Sequence, residues 1–347
     1  MQATALHDHL VTRAAVMGDD HGVVVARHFG DTAREYATLR ERAAVVDLGD
    51  RGLVVATGSD RVTFLQGMLT NDVARLGPGT GCAALLLSIQ GRVVADLGVA
   101  ADADALVLDV DRRAQAAMMA ALDALIIADD VELAADDATT LVGVAGPDAM
   151  RLVPLAADFA PYGHGRGRVG GVDVRVVRAS TAGPVAVVLH APAAHAAALW
   201  EALITAGAMP CGRDAMEARR IELGVPRVGV DMGEKTLALE VPVEDAISIT
   251  KGCYLGQEVI ARGTARGHVN RRLCGLVFDG PAPTAGAPLA FDGREVGTVT
   301  SVALSGALGR PVGLGFVRRE HWDPGVELLV GSGSTQAKAR VAAWPLA

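Results

Sequence analysis

The residues with the greatest chemical potential lie in one octapeptide, residues 251–258, whose sequence is KGCYLGQE. It holds one of the chain's four cysteines, one of its three tyrosines and one of its three lysines. A cysteine near a lysine and a helix N-terminus ionises more easily, and the thiolate is the form that attacks electrophiles or binds metals. The pattern therefore indicates a reactive Cys253 with Lys251 as a nearby cation, although most free cysteines only pack a loop.

Two elements must position this loop. A strand-like apolar run, residues 246–250, precedes it, and a helix-like run, residues 257–262, follows it. Gly252 and Gly256 permit backbone turns that other residues disfavour. We therefore predict a strand, a tight loop that carries Cys253, and then the N-terminus of a helix.

The octapeptide resembles the signature of the YgfZ family at all eight positions. YgfZ proteins are folate-binding proteins implicated in making or repairing iron–sulfur clusters, and they are built like the T-protein (aminomethyltransferase) of the glycine cleavage system. The resemblance extends over nearly the full chain. It implies tetrahydrofolate or a derivative as the cofactor, Cys253 and Lys251 as catalytic residues, and Tyr254 and Gln257 as folate contacts.

A second candidate is Asp96, the only carboxylate in a predicted hairpin of residues 83–87 and 93–99. An outward-facing strand residue is the usual explanation for such a carboxylate. In T-proteins, however, the corresponding strand carries two acidic residues, one of which acts at the folate nitrogen, and here the pair is Ala95-Asp96. The resemblance thus implies that Asp96 is catalytic and binds folate, while the missing acid argues against aminomethyl transfer.

A third candidate is Glu222, in a segment that resembles the Arg-Leu-Glu-Ala-Gly segment of T-proteins. There the glutamate binds the pterin ring, because a carboxylate accepts both of the adjacent N–H groups that a pterin presents. The alternative is a helix-surface glutamate paired with Arg219 or Arg220.

A basic cluster follows the octapeptide, and it comprises Arg262, Arg266, His268, Arg271 and Arg272. A solvated face is the default interpretation of such a cluster. Its position next to Cys253 also suits the glutamate tail of a folate, with Arg262 as a cofactor contact, or part of an RNA.

Residues 165–170 match GxGxxG by letters alone. A dinucleotide fingerprint follows a strand and opens a helix, whereas this one precedes the alternating strand 172–177. We therefore reject a dinucleotide site and predict a flexible loop with solvated arginines.

Composition excludes several classes of protein. The net charge of −8 and the aromatic content of 3% argue against direct nucleic-acid binding. The mean hydropathy is +0.31, yet no segment is typical of a membrane span or a signal peptide, so the cytoplasm is the expected location. The widely spaced cysteines predict neither a disulfide framework nor a metal site.

Strand–turn–helix units recur at residues 53–69 and 141–153, and a helix-like run covers 35–47. Short strands separated by Gly, Pro and Asp begin at residue 273, which is typical of a small β-barrel. With the resemblance, these patterns predict an α+β, T-protein-like fold of ferredoxin-like lobes around a central cavity. The predicted folate-binding region is 1–268, with lobe one at about 1–135 plus 229–268 and lobe two at about 136–228, and the barrel is 269–347.

Two principal functions follow. The favoured one is a folate-binding accessory protein for iron–sulfur cluster assembly or repair, which indirectly supports tRNA modification and acts on iron–sulfur proteins or their assembly machinery. A cluster normally takes four protein ligands, so contact through Cys253 alone would be transient. The alternative is a folate-dependent aminomethyltransferase of the T-protein type, and a third is an interaction protein with a vestigial cavity. Enzymatic turnover stays undecided.

Overall fold

The computed structural model describes residues 2–179, 183–265, 268–331 and 337–347. Its backbone contacts divide the chain into two compact units. The first comprises Met1–Leu87, Val94–Met216 and Glu244–Leu255, and the second comprises Ser88–Val93, Glu217–Val243 and Gly256–Ala347.

The first unit begins with a three-stranded sheet in which β3 lies between a parallel β1 and an antiparallel β2. The elements are β1 (Gln2–Ala3), α1 (His7–Thr12), β2 (Val16–Asp20), β3 (Val23–His28), α2 (Thr32–Glu41) and β4 (Ala44–Asp47). The predicted helix over 35–47 is therefore too long. Its apolar end is the buried strand β4, and adjacent β-branched residues such as Val45 and Val46 favour a strand.

A five-stranded sheet follows, in the order β6-β7-β8-β5-β9. Its elements are β5 (Arg51–Thr57), α3 (Arg61–Met68), β6 (Gly81–Leu87), β7 (Val93–Ala101), β8 (Leu106–Asp111), α4 (Arg112–Asp123) and β9 (Glu132–Asp136). The predicted hairpin of residues 83–87 and 93–99 is confirmed as β6 and β7. Met118 and Leu122 of α4 are fully buried, so this helix covers one face of the sheet with apolar side chains.

The other large sheet has six strands in the order β11-β12-β13-β10-β4-β14. The remaining elements are β10 (Thr139–Ala145), α5 (Ala149–Leu152), β11 (His164–Val169), β12 (Val172–Arg178), β13 (Val185–Pro192), α6 (Ala196–Thr205), β14 (Met209–Pro210) and α7 (Arg213–Leu223). The GxGxxG segment is strand β11 and not the predicted loop. Gly170 and Gly171 have φ of +56° and +84° and turn the chain directly into β12, so no helix follows and the rejection of a dinucleotide site stands.

The second unit contains a closed six-stranded barrel in the order β15-β18-β17-β16-β19-β20. Its elements are α8 (Gln257–Ala265), β15 (Arg271–Asp279), β16 (Pro288–Phe291), β17 (Arg294–Ser305), β18 (Arg310–Arg318), β19 (Glu327–Val330) and β20 (Ala337–Ala342). Gly313 is required in β18, because a Cβ there would lie 2.5 Å from the Ser301 carbonyl oxygen and 2.8 Å from the Phe278 ring. The predictions of mixed α and β content and of a C-terminal barrel are confirmed.

Across the described ranges, no helix has both the length and the apolar character needed to cross a membrane.

Candidate functional site

The octapeptide of residues 251–258, here called the signature loop, is held to the end of helix α3 and does not follow a strand. The predicted strand over 246–250 is wrong, because Glu244–Ala246 is a turn of 3₁₀ helix and residues 247–250 are in no strand. The Thr70 hydroxyl donates to the Ala246 carbonyl at 2.6 Å, and the Ser248 amide donates to the Thr70 carbonyl at 3.0 Å. These bonds replace a strand ladder, whereas the predicted helix after the loop is present as α8.

Lys251 adds three hydrogen bonds to this attachment. Its side chain is buried, and Nζ donates to the carbonyl oxygens of Gln66 and Leu69 at 2.6 Å and of Asn71 at 2.9 Å. The last carbonyls of a helix lack partners within the helix, so a buried ammonium with three N–H groups satisfies them well. Burial lowers the pKa of Lys251 to about 8. The three N–H donors of Lys251 are thus engaged by backbone carbonyls. A catalytic role for Lys251 stays a prediction.

The other two distinctive residues of the loop face opposite environments. Cys253 is exposed to solvent. Tyr254 is buried, its ring centroid lies 5.1 Å from Lys251 Nζ, and burial raises the pKa of its phenol. The loop therefore presents a thiol to solvent while its lysine and tyrosine anchor it from within.

Asp96 on β7 has one carboxylate oxygen near a cation and one without a partner. Its Oδ2 lies 3.8 Å from Arg51 Nη1, and its Oδ1 is buried without a hydrogen-bond partner in the described part of the chain. Buried polar atoms in folded proteins are normally hydrogen-bonded, so an orphaned carboxylate oxygen suits a ligand that donates an N–H or O–H. This is not the plain outward-facing strand residue of the alternative interpretation.

Arg51 forms ion pairs with both Asp96 and Asp109. The sequence patterns identified neither Arg51 nor Asp109 as a site residue. Arg51 Nε donates to Asp109 Oδ1 at 2.6 Å, and Nη2 donates to the Asp109 carbonyl at 3.1 Å. Burial raises the pKa of Asp109 against the opposing effect of Arg51. Burial works against the charge of Arg51, but the carboxylates of Asp109 and Asp96 raise its pKa. The available signal was a charged residue within each of two apolar strands, β5 and β8.

Glu222 lies in the second unit and is completely buried. Its Oε1 accepts from the Ser305 hydroxyl at 2.5 Å, and its Oε2 accepts from Arg219 Nη1 at 2.8 Å. The pairing with Arg219 agrees with the alternative interpretation, but the surface position does not. Arg220 instead contacts Asp231 and Ser301, each at 2.7 Å. A pterin contact of Glu222 stays a prediction.

The basic cluster is largely tied to neighbours within the second unit. Arg262 is exposed and pairs with Glu258 one helical turn away. Arg271 binds Glu240 at 3.0 Å, and the guanidinium of Arg272 lies 4.5 Å from the Trp322 ring centroid. Arg266 lies outside the described residues.

The predicted site residues fall into two groups. Asp96, Lys251, Cys253 and Tyr254 belong to the first unit, and Glu222, Gln257 and Arg262 belong to the second. A cavity shared by Asp96, Glu222 and the loop stays a prediction. Within the described ranges, no three His, Cys, Asp or Glu side chains are grouped closely enough to hold a metal ion.

Comparison with known proteins covers both units. The GCVT N-terminal domain matches residues 6–251, and the glycine cleavage T-protein C-terminal barrel domain matches residues 271–346. An aminomethyltransferase of Geobacillus kaustophilus is 31% identical, over 91% of this chain and 90% of that protein. One from Chlorobium chlorochromatii is 30% identical, over 95% of this chain and 94% of that protein. The crystal structure of glycine cleavage system aminomethyltransferase T from Bartonella henselae matches with a TM-score of 0.90 and 20% identity, covering 100% of this chain and 98% of that chain.

These findings overturn the favoured function predicted from the sequence. The similar proteins are aminomethyltransferases, and they do not support a YgfZ-type role in iron–sulfur cluster assembly or tRNA modification. That prediction gave eight residues of one loop more weight than the pattern of the whole chain. By its two domain matches and its relatives of 30% identity or more, the chain belongs to the glycine cleavage T-protein family of aminomethyltransferase-like proteins.

Proposed function

We propose that this protein is a folate-dependent aminomethyltransferase. Tetrahydrofolate is the cofactor of the T-protein family. The observation that carries the proposal is Asp96, whose Oδ1 is buried without a partner and whose Oδ2 faces Arg51. The lower-weighted alternative from the sequence thus becomes the principal hypothesis.

The residues around Asp96 fit a reduced folate. An unpartnered carboxylate oxygen is a hydrogen-bond acceptor, and a reduced pterin carries N–H donors that require one when they are removed from water. When bound, tetrahydrofolate supplies the nitrogen that receives the one-carbon unit. In this proposal Asp96 accepts a hydrogen bond from the folate and holds a proton at the reacting nitrogen. Arg51, fixed by its two bonds to Asp109, positions the carboxylate.

Ala95 no longer argues against transfer. Successive side chains of a strand point to opposite faces of the sheet, so residues 95 and 96 face different sides. Ala95 is completely buried, whereas the side chain of Asp96 keeps 31% of its exposure. An acid at position 95 would lie in the apolar core, and its absence leaves the face that carries Asp96 unchanged.

The test is transfer of the one-carbon unit from an aminomethyl-loaded lipoyl carrier to tetrahydrofolate under anaerobic, reducing conditions. Asp96→Asn is expected to bind tetrahydrofolate within a few-fold of the wild type. It should slow transfer by about 10²–10⁴-fold, the usual contribution of a positioned acid or base. Asp104→Asn is the matched control, because Asp104 is exposed on the turn after β7. Wild-type transfer by Asp96→Asn would refute the assignment.

Several finer statements remain part of this proposal. They are the folate contacts of Glu222, Tyr254, Gln257 and Arg262, the catalytic roles of Cys253 and Lys251, the division of the chain at residues 268 and 269, and a cytoplasmic location. Iron–sulfur partners are no longer included.

A further inference from the structure

A cavity of about 650 Å³ lies in the first unit, between its two larger sheets. Leu53 and Val55 of β5 and Val107 of β8 line it on the side of the five-stranded sheet. These three side chains form an apolar part of the wall, beside Asp136 of β9. A volume of this size is within the range of small-molecule sites.

The opposite wall is polar and regular. Arg166, Arg175 and His190 lie directly opposite one another on β11, β12 and β13, so they form one row across three adjacent strands. Directly opposed residues share a face of the sheet and lie about 5 Å apart. The row therefore presents nitrogen-bearing side chains to a single ligand group.

In this row, His190 has a ring nitrogen that makes no hydrogen bond within the described residues. It is 7% exposed, and its Nδ1 is buried without a hydrogen-bond partner in the described residues. Burial and the nearby Arg175 cation lower the pKa of His190 to about 3, so the imidazole is neutral at physiological pH. A buried ring nitrogen without a partner is unfavourable unless a ligand or a water completes it.

Arg175 is fixed before any ligand arrives. Its guanidinium is 8% exposed and binds both carboxylate oxygens of Asp102, with Nη1 to Oδ1 at 3.0 Å. Nη1 also contacts His164 Nδ1 at 3.3 Å, and His164 Nε2 contacts the Ala101 carbonyl at 3.1 Å. A guanidinium only donates, so the neutral His164 accepts through Nδ1 and donates through Nε2.

The charges around the cavity balance. Three arginines and three aspartates lie at or beside its walls: Arg166, Arg168, Arg175, Asp102, Asp136 and Asp173. Arg175 is matched by Asp102, and Arg168 by Asp173 at 2.8 Å. Arg166 is exposed and has no ion pair within the described part of the chain, and Asp136 uses Oδ1 to accept from the backbone amides of residues 138 and 139. One cation and one carboxylate thus remain for a ligand, which favours a zwitterion over a simple anion or cation.

We propose that this cavity binds a free α-amino acid with an apolar side chain. The carboxylate lies on the row, between Arg166 and His190 Nδ1–H. The ammonium group binds Asp136, and the side chain packs on the apolar wall. Val55 and Val107 share a sheet face with Asp96 but lie farther along the strands, and the proposal places the amino acid there and not at the proposed folate contact.

The test is calorimetric titration of the full chain with L-valine, L-leucine and L-phenylalanine. Two leucine analogues, 4-methylpentanoate and 3-methylbutylamine, each retain one of the two charges. We expect at least one amino acid to bind and both analogues to bind at least tenfold more weakly. Absence of binding by all three amino acids at millimolar concentration would overturn the proposal, and so would an analogue that binds as tightly as leucine.

Variants locate the site. Arg166→Gln and His190→Leu should each weaken amino-acid binding at least tenfold. Arg151→Gln, an exposed arginine of the same unit, should not change it. Asp96→Asn and saturating tetrahydrofolate should leave the affinity unchanged. Loss of binding in Asp96→Asn, or competition by tetrahydrofolate, would assign the cavity to the folate site and refute an independent one.

Discussion

At Lys251 a single side chain connects the signature loop to helix α3. Replacing it by methionine keeps the apolar stem but removes the ammonium that donates to the carbonyls of Gln66, Leu69 and Asn71. The Asn71 carbonyl also accepts from the Val73 amide. We expect Lys251→Met to lower the free energy of unfolding by about 1–3 kcal/mol, the usual cost of unsatisfied buried groups. Urea unfolding measures this free energy, and the control is Lys235→Met, which replaces an exposed lysine. Equal stability of the two variants would contradict this role.

The four cysteines should differ sharply in reactivity. Cys253 is exposed, whereas burial raises the pKa of Cys82 to about 12 and that of Cys274 to about 11. Cys211 is also buried, and its pKa is raised as well. Because the thiolate is the reacting form, iodoacetamide should modify the native protein first at Cys253. Mass spectrometry of tryptic peptides checks this, with Cys253→Ser as the control. Faster labelling of any other cysteine would show that the loop shields Cys253.

The spacing of residues 251–258 located a loop before a helix, but it could not assign a role to each side chain. Lys251 was expected to act on the thiol, and its donors instead hold three carbonyls contributed by residues 66–71. Those partners are about 180 residues away in the chain. Contacts between residues so far apart in the chain cannot be predicted from the local sequence. The same limit hid Arg51 and Asp109, whose importance follows only from the pairing of β5, β7 and β8.

At the scale of elements, helix α4 depends on its N-cap residue, Asp111. The Asp111 carboxylate accepts from the Arg113 amide at 2.9 Å and from Arg113 Nε at 2.7 Å. Burial works against the charge, but these bonds hold the pKa of Asp111 below its ordinary value of 3.8. Asp111→Ala should lower the free energy of unfolding at pH 7 by about 1–2 kcal/mol, as expected for loss of an N-cap.

The stabilisation by the Asp111 carboxylate should decrease as the pH falls. Because the folded state lowers the pKa of Asp111, the unfolded chain binds the proton more readily in acid. The stabilisation is therefore complete above about pH 4 and is lost as the pH falls through the lower folded-state pKa. Asp111→Asn retains the cap without the charge, so its deficit relative to the wild type should shrink in acid. Urea unfolding at pH 7 and pH 3 tests this, and a deficit that grows toward pH 3 would contradict it.

Elements were predictable where periodicity and turn residues agreed, as in the barrel strands and in the unit β5–α3. They were not predictable where composition favoured the wrong state. Residues 165–170 contain three glycines and read as a loop, yet β11 is a strand because every one of its residues pairs with β12. Residues 246–250 have β-branched apolar character, yet Ile249 is 86% exposed and no neighbouring strand pairs with the segment in the described chain. Tertiary pairing decides both cases.

At the scale of the whole molecule, family assignment and function rest on different observations. A fold similarity at 20% identity establishes the architecture alone. The eight-residue signature pointed to one function, and relatives that span more than 90% of the chain point to another. Asp96 favours the second function, because its buried Oδ1 has no hydrogen-bond partner among the residues that the structure describes.

Variants of Glu222 can distinguish a structural role of this side chain from a role in binding the cofactor. It is buried, and it satisfies Arg219 and Ser305 within the second unit. Glu222→Ala removes the carboxylate that accepts from both partners and should lower the free energy of unfolding by about 2–4 kcal/mol. Glu222→Gln keeps the shape and should cost less. Thermal unfolding measures both, and Ser305→Ala, which removes one partner and spares the carboxylate, is the control.

The same variants show whether Glu222 also binds the cofactor. A ligand at about 100 times its Kd stabilises the folded state by about 2.7 kcal/mol. If Glu222 accepts from the pterin, this increment should fall in Glu222→Gln and persist in Ser305→Ala. If Glu222 only holds its two neighbours, both variants should start from a lower stability and gain the full increment from tetrahydrofolate. The second result would remove Glu222 from the proposed cofactor contacts and leave Asp96, with its buried and unpartnered Oδ1, as the residue that carries the proposal.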